Sequence, residues 1–175
     1  MTSTAEPAAA ADLIDSLSGI QPGTPLHAVR HARDKVASAT QGSQDLFFDP
    51  ALDNGLPLSE RLWVAYYAAR LTPHTRLAAY YLEQLSASGL NEPVRAAVDS
   101  GTLETLDDER LRAILSFTRT LIESPVHGDR AALQTLQHEG LSTAEIVVLA
   151  QLIAFLSYQV RLAAGLGALL SAGAA

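Results

Sequence analysis

From Ser59 onward, apolar residues recur at helical spacing, and the breaks between runs carry helix-start or helix-stop residues. No stretch alternates apolar and polar residues with period two over a useful length, so no strand is predicted. Ser59 is placed to cap a helix with Leu62, Ala65, Tyr66 and Ala69 on one face. Thr72-Pro73 has the order of an N-cap followed by a first-turn proline, and Gly89 supplies a stop. Asn91 caps a short helix, Asp107 and Asp129 open two more, and Ser142-Thr143-Ala144-Glu145 reads as a capping box. The helix after that box is apolar on almost every side, which implies a place at the centre of the core or under a partner chain. As a membrane span it is short: Gln151, Ser157 and Gln159 interrupt it, and Arg161 is expected to close it 16 residues after Glu145. The fold class is therefore all-α, with no membrane partner.

Before Ser59 the pattern is weaker. Met1 to Ala11 is rich in Ala, Thr, Ser and Pro and reads as a loose arm. Asp12 to Leu17 and the segment after Thr24-Pro25 suit one or two helices. Asp49-Pro50 and Asp53-Asn54-Gly55-Leu56-Pro57 form a loop. Residues 1–50 are thus expected to be an N-terminal arm, and 51–175 the main helical domain. The start of the Ser59 helix weakly echoes the start of the Ser142 helix, which mildly favours a duplicated helical hairpin.

Composition closes off several chemistries. There is no cysteine among the 175 residues, so disulfides, thiolate metal sites, redox dithiols and cysteine nucleophiles are all excluded. Net charge is −7, and Lys35 is the only lysine, so the basic face of a nucleic-acid binder is missing. The first 29 residues hold no Lys or Arg, so the charged start of a secretory signal is not seen and a cytoplasmic location is expected. His27 and His31 are spaced i, i+4 as a metal pair would be, but no third ligand is evident in sequence, and neither metal nor cofactor is expected.

The stretch Leu58 to Gly89, and then LRAILSFTRTLIES and HEGLSTAEIVVLAQLIAFLSYQVRLAAGLG within Leu111 to Gly167, resemble the carboxymuconolactone decarboxylase and alkylhydroperoxidase D-like family, its peroxidase-related branch in particular. The resemblance covers roughly residues 20 to 170 and implies an oligomeric helical bundle of about seven to eight helices. In the thiol peroxidase members, a Glu precedes a CxxC at the start of the next helix, and a His follows one turn later. A helix N-terminus lowers a thiolate's pKa, the second Cys resolves the sulfenate, and Glu and His relay the proton. In the best register Pro73 and Arg76 stand at the two Cys positions, Tyr80 at the His position, and Arg61 at the Glu position; a slip of one residue puts Glu60 there instead. The chain thus resembles the family while lacking its redox residues.

Three functions follow from the resemblance. The first is acid/base chemistry on a small carboxylate or lactone, as in the decarboxylase branch, at the start of the Pro73 helix. His74, Tyr80 and Glu60 are then the catalytic candidates, and Arg61, Arg76 and Tyr81 the substrate-binding ones. The second is a non-catalytic scaffold or subunit of the same fold, beside a cysteine-bearing relative. The third is a peroxiredoxin-like antioxidant role by family alone, without a thiol mechanism. A homo-oligomer is expected in each case, because the apolar last helix needs cover. Arg161, in that helix, is expected to be buried against a carboxylate or backbone carbonyls, and Trp63 to lie in the core or an interface.

Overall fold

The computed structural model describes residues 12–53 and 55–173, so the arm expected at Met1–Ala11 lies outside the described residues. Among the described residues the chain forms nine α-helices and two short 3-10 turns, and no strand. In chain order they are α1 (Leu13–Ser18), α2 (Pro25–His31), α3 (Asp34–Phe47), α4 (Leu58–Leu71), α5 (Thr75–Ala87), α6 (Glu92–Ser100), α7 (Glu109–Glu123), α8 (Arg130–His138) and α9 (Thr143–Ser171). The turns lie at Leu103–Thr105 and Pro125–His127.

Most caps sit where side-chain chemistry puts them. Thr24, Asn91 and Asp129 each accept a backbone N–H from the first turn of their helices. Ser142 and Glu145 close both hydrogen bonds of the capping box. Three starts differ from expectation. Asp108, one residue after Asp107, caps α7. Leu58 opens α4, and Ser59 makes no cap bond there. Thr72 ends α4, and α5 is capped by His74, whose Nδ1 accepts the Leu77 N–H at 3.2 Å. Pro73 therefore lies in the α4–α5 turn rather than in the first turn of α5.

The central helix is α4, not the apolar last helix. All residues from Arg61 to Ala69 are buried, because α4 packs against α5, α7 and α9 together. Ala65, Ala68 and Ala69 let neighbouring backbones approach, while Trp63, Tyr66 and Tyr67 fill the wider gaps. Tyr66 donates its hydroxyl to Asp99 at 2.6 Å, which carries its polar end to the surface.

The α9 helix runs ten residues beyond Arg161, to Ser171, and by length and composition alone it is long enough to cross a membrane. Its first two-thirds pack as a core helix does: Ile146, Leu149, Leu152, Ile153, Leu156, Val160 and Ala163 form a buried stripe. Val147, Tyr158 and Leu169 remain exposed on its outer side. Arg161 is exposed and donates to the Ser157 carbonyl one turn back at 2.7 Å, so it is not the buried guanidinium expected of this helix.

Residues 12–50 hold three helices where one or two were expected, and they are integral to the packing. The α1 helix lies on α9, and Gln41 of α3 accepts the Leu13 N–H at 2.9 Å. Gln44 of α3 reaches between the α5 and α9 side chains.

Candidate functional site

The turn before α5 brings two of the expected site residues, His74 and Arg76, onto one open cleft. Pro73, His74, Thr75 and Arg76 wall a cleft of about 590 Å³, closed on its other sides by the end of α1 and by α9 from Ala163 to Ser171. The cleft exists because α1 ends at Gly19 in the left-handed region (φ +82°). A β-carbon there would stand 3.3 Å from Arg76 Nη1. Glycine thus lets Arg76 close on the end of α1, where it donates to the Leu17 carbonyl at 3.0 Å. Its other guanidinium nitrogens have no protein partner among the described residues.

The His74 geometry assigns its role. Nδ1 accepts the Leu77 N–H, so in the neutral ring Nε2 carries the proton. The ring is then a donor, and taking up a proton at Nδ1 costs the cap. His74 is therefore unsuited to act as the general base expected of it. The first N–H groups of α5, on Thr75 and Arg76, have no intrahelical acceptor and sit at the positive end of the helix dipole. The cleft is lined by the His74 imidazole, the Arg76 guanidinium and a helix N-terminus, groups that favour an anion, and His74 also borders a second cavity of about 440 Å³ between α4 and α5.

The other expected site residues lie elsewhere. Glu60 is in the first turn of α4 and His74 just past its last, so a helix of roughly 20 Å separates them. Glu60 takes a two-pronged bond from Arg110 (Nε to Oε1, 2.8 Å; Nη2 to Oε2, 3.2 Å), and Arg110 also reaches Glu145 Oε1 at 2.7 Å. This ion network ties α4, α7 and α9 together and occupies Glu60 fully.

The same network sets a pH dependence. Hydrogen bonding from Ser142 is the main reason that the Glu145 carboxyl lies well below its ordinary 4.5, at about 2, with Arg110 adding to the effect against the cost of burial. A carboxylate lowered on folding stabilises the fold above its unfolded pKa and loses that contribution as pH falls through the folded value. Glu145→Gln is therefore expected to flatten the stability profile between pH 4.5 and about 2, measured by urea melts at several pH values. An unchanged slope there means that Glu145 is not anchored in this way. Gly55 (φ +76°) makes room for this carboxylate, since a β-carbon there would stand 2.8 Å from Glu145 Cγ.

Arg61, expected as a substrate clamp, is only 1% exposed. Its Nη1 donates to the carbonyls of Phe47 and Asp49, at the end of α3. Burial pulls its pKa down, and Asp49 partly restores it. A guanidinium at a helix C-terminus meets the negative end of the dipole and the unpaired last carbonyls. This side chain caps α3 from α4 and has no access to ligand.

Tyr81 is fully buried. Its hydroxyl lies 2.7 Å from Gln159 Oε1 and 3.0 Å from Gln44 Oε1, and Gln159 Nε2 donates to Gln44 Oε1 at 2.8 Å. This closed triad fastens α3, α5 and α9, and burial pushes the Tyr81 phenol far up. Tyr80 is half-buried, edge-on to Tyr81 with centroids 5.1 Å apart, beside a cavity of only about 60 Å³. Burial raises its pKa as well. Neither tyrosine reaches the cleft.

Of the six expected site residues, then, the cleft gathers His74 and Arg76. No protein-family model matches the sequence, and no curated protein matches it either.

Proposed function

We propose that this chain is a cysteine-free relative of the alkylhydroperoxidase D-like and carboxymuconolactone decarboxylase group that binds a small carboxylate at the α5 N-terminus and does not turn it over. The single observation that carries this reading is the pairing of donors in the cleft. His74 offers Nε2–H because Nδ1 is committed to Leu77, and Arg76 lies two residues on in the same wall. The resemblance supports the location, since Pro73 and Arg76, which stand at the two Cys positions, both line the cleft. Acid/base turnover is disfavoured because Glu60 is engaged by Arg110, Tyr80 lies elsewhere, and His74 presents a donor.

The test is calorimetric titration with a panel of small mono- and dicarboxylates and a carboxylated lactone. At least one is expected to bind, and Arg76→Ala is expected to weaken it about tenfold or more, the value of one charge-assisted contact. Equal affinity in the variant contradicts the reading. Product formation from the lactone would restore the enzymatic one.

The scaffold reading draws on a different observation. An apolar groove of about 520 Å³ runs between α2, α3 and the outer side of α9, with Val29, Val36, Leu162, Leu166 and Leu169 along it. Val29 is 72% exposed and Leu169 47%. Cover by a second copy would account for both. Light scattering is expected to give a multiple of 18.5 kDa, and Leu166→Glu to reduce it; a monomeric wild type contradicts self-association.

A further inference from the structure

The i, i+4 histidines that found no third ligand in sequence acquire one in the fold. Asp15 of α1 projects against α2, where its Oδ2 lies 2.7 Å from His31 Nε2 and 3.9 Å from His27 Nε2. All three donor atoms fall within 4.8 Å of one another, and Asp15 itself is buried. The two imidazoles lie side by side, with centroids 4.3 Å apart. Tetrahedral zinc with bonds of about 2.0–2.1 Å holds its donors about 3.3 Å apart. The two Asp15–histidine spacings bracket that value and the third pair lies within 4.8 Å, so a turn of the carboxylate with a small shift of the rings would equalise them.

The protein-only arrangement leaves His31 Nε2 with two incompatible neighbours. Besides Asp15, it lies 3.1 Å from Arg30 Nη1. An Nε2–H satisfies the carboxylate but offers Arg30 no lone pair. A bare Nε2 accepts from Arg30 but turns its lone pair on the carboxylate. Asp15 Oδ1 is buried and makes no hydrogen bond; it faces Arg30 Nε at 3.3 Å as an ion pair. A cation between Nε2 and Oδ2 takes up both of those lone pairs, and Arg30 keeps its two carboxylate partners, Asp12 and Asp15 Oδ1.

We propose that Asp15, His27 and His31 form a binding site for zinc, with an open fourth position for water. Two imidazoles and one carboxylate are the donor set that zinc favours. Arg30 and Asp12 stand behind it. Arg30 Nη2 pairs with Asp12 Oδ1 at 3.0 Å, and Arg30 Nε lies 3.3 Å from Asp15 Oδ1, which orients the ligand carboxylate. Two carboxylates against one guanidinium leave one negative charge for the cation to meet. The metal would staple α1 to α2 beside the cleft wall that α1 supplies.

The experiment uses the full chain stripped with chelator and titrated with cobalt(II) and zinc(II) salts alone. Cobalt is expected to give visible bands that saturate at one equivalent and vanish as zinc is added. Zinc is expected to raise the melting temperature. His27→Ala is the cleaner variant, because among the described residues the His27 side chain makes no hydrogen bond or ion pair beyond Asp15; it is expected to weaken cobalt binding at least tenfold and to abolish the zinc-dependent shift. His31→Ala should do the same. No cobalt band at one equivalent, or a band and a thermal shift that persist unchanged in His27→Ala, overturns the proposal.

Discussion

Arg61→Ala is expected to destabilise the fold by about 3–5 kcal/mol while leaving the His74 cleft intact. The substitution removes two hydrogen bonds that the buried guanidinium makes to the Phe47 and Asp49 carbonyls, and a hydrogen bond from a charged group contributes about 1.5–3 kcal/mol. It also opens a cavity in the helix that every neighbour packs against. Arg61→Met separates the two contributions. Methionine fills much of the arginine stem's volume, so its cost should be the smaller, reporting the lost hydrogen bonds alone. The measurement is equilibrium denaturation of the three proteins, with the slope checked for a common denatured state. If Arg61 clamped a ligand, the outcome would reverse: Arg61→Ala would keep its stability and lose carboxylate binding.

Tyr81→Ala is expected to cost a comparable amount, about 3–5 kcal/mol, as truncation of a buried aromatic does. Tyr81→Phe removes only the hydroxyl. Gln44 and Gln159 can still bond each other, and the amide oxygen of Gln159 loses its donor, so roughly 1–3 kcal/mol is expected. Both variants that fold should bind carboxylate as the wild type does. The triad joins three helices from distant parts of the chain, so the loss should appear as one cooperative transition at lower denaturant. A separate early unfolding of α3 would mean that Gln44 does not tie it to the core.

These two residues show where a sequence stops being legible. Caps are local, and Thr24, Asn91, Asp129 and Ser142 act where their neighbours place them. Arg61 and Arg161 look alike in sequence, each a cation in an apolar helix. What separates them is the end of α3, which the loop after Phe47 folds back onto Arg61 and which nothing brings to Arg161. The same holds for the tyrosines, whose partners lie 37 and 78 residues away from Tyr81. At Thr72-Pro73 the local rule points to a cap, but α4 continues through Leu71, and the imidazole two residues after Thr72 takes the role. That shift also turned His74 from base to donor. Asp15 was invisible as a partner of His27 and His31 for a related reason: α1 and α2 are joined by a turn through Gly23, and only their packing brings the carboxylate to the rings.

The central claim is that the α5 N-terminus binds an anion through Arg76 and His74 rather than performing redox or proton chemistry. The most direct test is nitrogen-15 NMR of the His74 ring during carboxylate titration. An Nε2-protonated ring that shifts as carboxylate saturates is expected, with no such response in Arg76→Ala. A His74 ring protonated on Nδ1, or one indifferent to every carboxylate tried, would contradict it.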